Sequence, residues 1–161
     1  MSLICYMKWK LPPDIKIYEA LGVVADERVE VDENKAKVYS SSGNKFYTVT
    51  YDAEHRSIMA NDNGSYWQGY LGYPSIAFLM MTGAIRFDDV YAEALKGIAW
   101  KDINTKFKND FDKTAVHIHS LLREREVSVG DFLKEVDDIQ TQIEMLDLSF
   151  LGKKIKPPIG Y

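Results

Sequence analysis

The chain has only one cysteine, Cys5, among its 161 residues, so no intrachain disulfide can form. A reducing compartment is the natural setting for such a chain. With no histidine beside it in sequence, Cys5 reads as a small apolar residue and not as a nucleophile. Long apolar runs are also missing. The longest, around Ile76 to Ile85, is interrupted by Thr82 and Gly83 and falls short of the roughly 18 residues that a membrane helix needs. The N-terminus has no basic stretch followed by an apolar core and a small-residue cleavage site, so a cytoplasmic protein is expected. The net charge is only −4. That argues against broad binding to a phosphate backbone and leaves room for a local basic patch. There is no glycine-rich phosphate loop, since Gly69 and Gly72 alone do not make one, and no Gly-x-Ser-x-Gly elbow of a hydrolase.

The chain is long enough to bury roughly 70% of its extended surface, so it needs neither metal nor disulfide to fold. Pro12-Pro13-Asp14 opens a short helix over about Ile15 to Leu21, with Gly22 as its expected C-cap. Val23 to Val31 is β-branched with intervening acids and suits one or two short strands. The clearest strand signal runs from Lys35 to Ala60, as an antiparallel meander with turns at Ser40 to Asn44 and Asp52 to His55. Asn61 to Ser65 breaks the sheet. An aromatic, glycine-bearing loop follows at residues 66–73, and then a helix from Pro74 through Met81, closed near Gly83. From Asp88 onward the pattern is helical. Trp100, Ile103, Phe107 and Phe111 recur at spacings of three and four, and Thr114 to Leu122 reads as a further helix. Ser128 and Asp131 suit the start of a last helix. In it Phe132, Val136, Ile139, Ile143, Leu146 and Phe150 form a heptad seam, which must be buried against something. The tail from Gly152 is lysine- and proline-bearing and suits an extended segment.

The segment from Val38 to Met81 resembles the SWIM zinc-finger family. Phe46 to Asp52 looks like the strand before the first ligand pair, Ser57 to Asp62 stands where a Cys-x-Cys would, and Tyr73 to Leu79 looks like the Cys-x-His with its following helix. The resemblance implies a short sheet packed on a helix, with nucleic-acid-linked or protein-interaction roles. On that matching the four ligand positions hold Ile58, Ala60, Tyr73 and Ser75. A zinc site needs thiolates, imidazoles or carboxylates, so no metal and no cofactor is expected, and aromatic packing by Tyr66, Trp67, Tyr70 and Tyr73 stands in the metal's place.

Those four aromatics are the candidate binding residues, joined by Lys101 and Lys108. The two lysines are seven apart and would share a helix face able to meet phosphates. Exposed, the aromatics would stack bases or anchor a partner; buried, they form a small core. His117 and His119 point about 200° apart on a helix and cannot chelate one ion. Asp110 and Asp112 offer paired carboxylates for acid–base work, or simply a solvated helix end. Asn61-Asp62-Asn63-Gly64 lacks the acidic first position and closing glutamate of a calcium loop and reads as a turn.

The expected architecture is α+β: residues 1–87 with the sheet and its helix, and residues 88–161 as a helical extension, together one structural unit. Two functions stay open. One is a non-catalytic interaction module engaging protein or nucleic acid through the aromatic loop and Lys101 and Lys108. The other is a small enzyme using Asp110, Asp112 and one of His117 or His119 in a cleft. Self-association through Phe132, Val136, Ile139, Ile143 and Leu146 competes with packing of the same seam inside the monomer. No membrane contact is expected.

Overall fold

A computed structural model describes residues 7–159; Cys5 lies outside them. The fold is α+β, and helix α1 (Asp14–Ala25) is its axis. Pro13 is extended at its N-cap and Asp14 places an acid in the first turn, where the helix dipole favours negative charge. Ile15, Ile17, Tyr18, Ala20, Leu21 and Val23 are all buried, so α1 is apolar nearly all round, as befits a central helix. It runs three residues past Gly22. That glycine is not a cap: the indole of Trp100 lies on it, and a Cβ there would fall 2.7 Å from Trp100 Nε1.

Strands β1 (Val29–Asp32), β2 (Lys35–Tyr39), β3 (Phe46–Asp52) and β4 (Ser57–Ala60) form the antiparallel meander, with Val38 opposite Tyr47 and Val49 opposite Ala60. Ala36, Val38, Tyr47 and Val49 point inward and alternate with exposed residues, the period of a sheet with one wet face. Helix α2 (Tyr73–Met81) covers the inner face, and its Phe78 meets Tyr51 edge-on at 5.6 Å. A fifth strand, β5 (Ser149–Phe150), joins β4 in parallel. The heptad pattern hides it. Helix α6 (Val129–Leu146) ends at Asp147 in a left-handed turn, and Phe150 leaves the seam to stack on Trp9 with ring centres 3.9 Å apart.

The remaining helices are α3 (Asp89–Ala94), α4 (Trp100–Lys106) and α5 (Phe111–Glu124). The side chains of Asp88, Asp110 and Ser128 cap α3, α5 and α6 by accepting from Val90, Lys113 and Asp131 backbone N–H. The Trp100-to-Phe111 periodicity is split into two helices because Lys108 and Asn109 both take left-handed backbone. The face expected to hold Lys101 and Lys108 together is broken there.

The seam turns inward. Phe132, Val136, Ile139 and Ile143 are buried and Leu146 is half-buried. Phe132 meets Tyr18 of α1 edge-on at 4.8 Å. These residues are spent on the monomer's own core, and the stripe is not offered to a second copy. No helix among the described residues is long and apolar enough to cross a membrane.

Candidate functional site

Pro13, Lys16 and Glu19 stand three residues apart and so share one face of α1. Over this face lies a cleft of about 830 Å³. It is closed by the turn after β4, by Tyr47 of β3, by Tyr73 at the start of α2, and by Trp100, Lys101 and Asn104 of α4. The volume falls in the range usual for small-molecule sites.

The turn that roofs the cleft is a π-helical turn over Gly64–Gln68, a geometry found disproportionately at functional sites. Gly69 closes it at φ +74° and its N–H donates to Gly64 O at 3.1 Å. Lys10 Nζ and Lys154 Nζ pin the turn from outside by donating to the carbonyls of Gln68 and Tyr66. Gly64 has no alternative: a Cβ would fall 2.7 Å from Tyr70 Cζ.

Three ionisable side chains meet at the floor. Lys16 Nζ donates to Glu19 Oε2 at 3.1 Å, and Glu19 Oε1 accepts from Asn104 Nδ2 at 2.8 Å. Asp62 Oδ1 accepts from Ser65 Oγ at 2.5 Å, and Oδ2 from the Ser65 backbone N–H at 3.2 Å. Glu19 and Asp62 are both buried. Burial pushes the Asp62 carboxyl above its ordinary range, and the bonds from Ser65 and the nearby Lys16 charge only reduce that rise. Burial alone would lower Lys16. The Glu19 carboxylate, helped by Tyr70 and Asp62, reverses this and holds its ammonium above the usual value. The Tyr70 and Tyr73 hydroxyls are raised chiefly by burial. Tyr73 stands edge-on to Tyr47 at 6.1 Å. Beside Glu19, Asn104 Oδ1 is buried without a hydrogen-bond partner. A lone buried ion pair is poor evidence of stabilisation, but perturbed groups converging in a cleft mark a site.

Above this floor Trp67 is 65% exposed and edge-on to Tyr66 at 4.6 Å. Of the residues singled out in the sequence, Trp67, Tyr70, Tyr73 and Lys101 line the cleft together. Tyr66 and Lys108 do not. Tyr66 is half-buried and its carbonyl accepts from Lys154, and Lys108 is exposed in the turn after α4. Sequence reasoning missed Lys16, Glu19, Arg28, Asp62 and Asn104. The signal for the first two was present, as charged residues at a spacing of three on a helix otherwise apolar all round.

The acid–base candidates stay apart from the cleft. Asp110 is spent as the α5 cap and Asp112 is exposed. His119 Nε2 lies 2.7 Å from the Tyr18 hydroxyl, and His117 lies against Phe107. Burial pushes the Tyr18 hydroxyl up to about 12, so it is protonated in that bond, and the histidine tautomer sets which group donates. Ile58, Ala60 and Ser75, at three of the expected ligand positions, are buried, and the fourth, Tyr73, lines the cleft. Asp52, Glu54 and His55 bring their ligand atoms within 4.8 Å of one another, on an exposed turn where His55 Nδ1 is bonded to Asp52.

Residues 9–149 match the model of the family described as Uncharacterised conserved protein UCP014422, and the chain belongs to that family. The matched stretch includes every residue lining the cleft. Neither curated proteins nor solved structures give a match.

Proposed function

We propose that this is a binding protein whose cleft takes up an organic ligand with a flat ring. The ring stacks on the exposed face of Trp67, and polar groups of the ligand meet Lys16, Tyr70 and Tyr73 below. One observation carries this: Glu19 and Asp62 are buried, and the Lys16 side chain is largely covered beside Glu19, in a cleft whose lining also includes Trp67, an indole left in solvent. Burying three ionisable groups costs stability unless something is gained from them. An exposed tryptophan at the rim of a polar pocket is a large, rigid surface that loses little entropy on binding.

The SWIM-like reading belongs to the same proposal. It is supported by the order of meander, turn and helix over residues 38–81, and by apolar packing at Ile58 and Ala60. On this view the turn once held by a metal is held by Asp62, Ser65 and Gly72. Purified protein is then free of zinc, and one zinc per chain by elemental analysis would remove this part of the proposal.

Catalysis at the same cleft has one observation in its favour. The Asp62 carboxyl, held towards its protonated form by burial beside Tyr70 and Lys16, is equipped to donate a proton.

The binding proposal is tested by tryptophan fluorescence. Uncharged ring compounds (adenosine, uridine, riboflavin) are titrated to about 10 mM, the weak end of useful affinity. The expected result is saturable quenching by at least one compound, lost in Trp67→Ala while circular dichroism is unchanged. Silence towards all three, or quenching that survives in Trp67→Ala, would overturn it.

A further inference from the structure

Four buried side-chain atoms among the described residues have no hydrogen-bond partner, and three of them belong to residues that line the cleft: Arg28 Nε, Trp100 Nε1 and Asn104 Oδ1. Such atoms are rare in folded proteins, and each one asks for a reason. Two of the three have company of another kind. Arg28 Nε lies 3.4 Å from Asp26 Oδ2, within an ion pair. The Trp100 indole nitrogen packs on Gly22 of α1. Asn104 Oδ1 is the one left as a bare acceptor.

The orientation of the Asn104 amide is set by Glu19. Asn104 Nδ2 donates to Glu19 Oε1 at 2.8 Å, and Glu19 Oε2 accepts from Lys16 Nζ at 3.1 Å. A carboxylate accepts and cannot donate, so the amide nitrogen has to face it and the amide oxygen is left over. The same carboxylate holds Lys16, whose side chain is 15% exposed. An ammonium carries three N–H donors, and Glu19 is the one hydrogen-bond acceptor that Lys16 has among the described residues. The ring of Phe111 lies 5.1 Å from its Nζ. Glu19 thus fixes an acceptor and a donor beside each other in one cleft, with both of its own oxygens used. The other lining carboxyl, Asp62, is engaged by Ser65.

Resting on the ring-binding cleft proposed above, we infer that the ligand's ring carries an N–H donor next to an acceptor on one edge, the donor for Asn104 Oδ1 and the acceptor for Lys16 Nζ. As the ligand seats, the amide turns outward on its Nδ2 bond to Glu19 and brings the oxygen from under the surface of the wall. The class is a heteroaromatic ring of nucleobase or flavin type: the imide edge of uracil or of a flavin, or the amino group and ring nitrogen of adenine. An acceptor hidden from water has no water bond to give up, so a matching donor gains more there than on an exposed surface. A ring of similar shape without the N–H leaves Oδ1 unpaired and is rejected for that reason. Glu19 touches no ligand in this arrangement and acts as a positioning residue.

The test titrates matched probes into the full chain by tryptophan fluorescence: uridine against 3-methyluridine, riboflavin against 3-methylriboflavin, and adenosine against purine riboside. The first two pairs block the donor with a methyl group. The third removes it without adding bulk, which separates a lost bond from a clash. Each parent that binds is expected to do so at least about ten-fold more tightly than its donor-less partner. In Asn104→Ala the parent should fall to the affinity of its partner, while the partner's own affinity is unchanged. Circular dichroism checks the fold of the variant, and the wild-type pairs decide the matter if it does not fold. Equal affinities within the pairs in wild type would overturn this inference and leave the ring-binding cleft standing. So would a ten-fold preference that persists in Asn104→Ala, because the donor would then be read by another group. If no parent binds, the ring-binding cleft falls and this inference with it.

Discussion

Gly72→Ala is the sharpest perturbation of the cleft. Gly72 has φ −80° and ψ 167°, so alanine suffers no backbone penalty and any effect is steric. The added Cβ would fall 2.6 Å from Asp62 Cγ and 2.9 Å from Oδ1. The carboxyl cannot simply withdraw, because it is buried and held by Ser65 Oγ and N–H. Forcing a methyl into a packed site costs about 1–3 kcal/mol. Losing even one of the two Asp62 bonds leaves a buried Ser65 donor unpaired, which costs a further 1–3 kcal/mol or so. The sum, about 2–6 kcal/mol, is a large part of the 5–15 kcal/mol or so that holds a typical domain together. Urea denaturation followed by circular dichroism reads it as a shift of midpoint at constant slope. Asp62→Ala vacates the space. In that background Gly72→Ala should cost less than about 1 kcal/mol, giving a coupling of several kcal/mol in the cycle. A cost that is the same in both backgrounds, or a wild-type-background cost under about 1 kcal/mol, would refute the placement of Asp62 against Gly72.

The other expectations concern charge and core. The folded Asp62 carboxyl sits above its unfolded value of 3.8. The stability it contributes is therefore complete below that pH and is lost as pH rises through the folded value. Asp62→Asn lacks this loss, so the stability difference between variant and wild type should grow in the variant's favour as pH rises above about 4 in urea titrations; a flat difference would contradict it. His119 is the opposite case. Burial, and then the Arg123 charge, hold it below 6.5, so the unfolded chain takes up its proton first and stability falls as pH drops below that value. His119→Phe should remove this segment of the pH–stability curve, and a wild-type curve flat from neutrality to about pH 5 would count against it. Ile139 is fully buried within the monomer. Ile139→Ala should cost about 2–5 kcal/mol, with a melting temperature that does not vary with protein concentration in wild type or variant. Concentration-dependent melting would put the seam at a subunit interface instead.

The meander, the helix after Pro74 and the capping of α6 by Ser128 were legible because each rests on local chemistry: alternation, a proline in a first turn, a hydroxyl three residues before its partner. The boundaries that were missed were decided by distant residues. Gly22 reads as a helix end until Trp100, far along the chain, packs on it. Phe150 completes a heptad on paper, but Asp147 turns the chain left-handed and β4 recruits the next residues as a strand. Lys101 and Lys108 share a face only in a continuous helix, and two left-handed residues at 108 and 109 end that.

The site shows the same division. Trp67, Tyr70 and Tyr73 stand out in the sequence because aromatics crowd one short loop. Lys101 was found for the wrong reason, as half of a lysine pair that the fold separates. Asp62 was read as turn punctuation, since Asn61 to Ser65 carries no sign that its second residue will be buried. Packing against Gly72 and the bonds from Ser65 bury that turn residue, and α1 brings the Lys16 charge near it. Neither Lys16 nor Glu19 is noteworthy alone: on a solvent-facing helix a lysine and a glutamate three apart are a routine surface pair worth a few tenths of a kcal/mol. Their meaning comes from the apolar residues flanking them on every other face of α1. Those residues pull the helix into the centre of the protein and take the pair with it. A charged pair on a helix that is otherwise apolar all round is thus the transferable signal: the core must either bury it at a cost or leave a cleft over it, and here it does both.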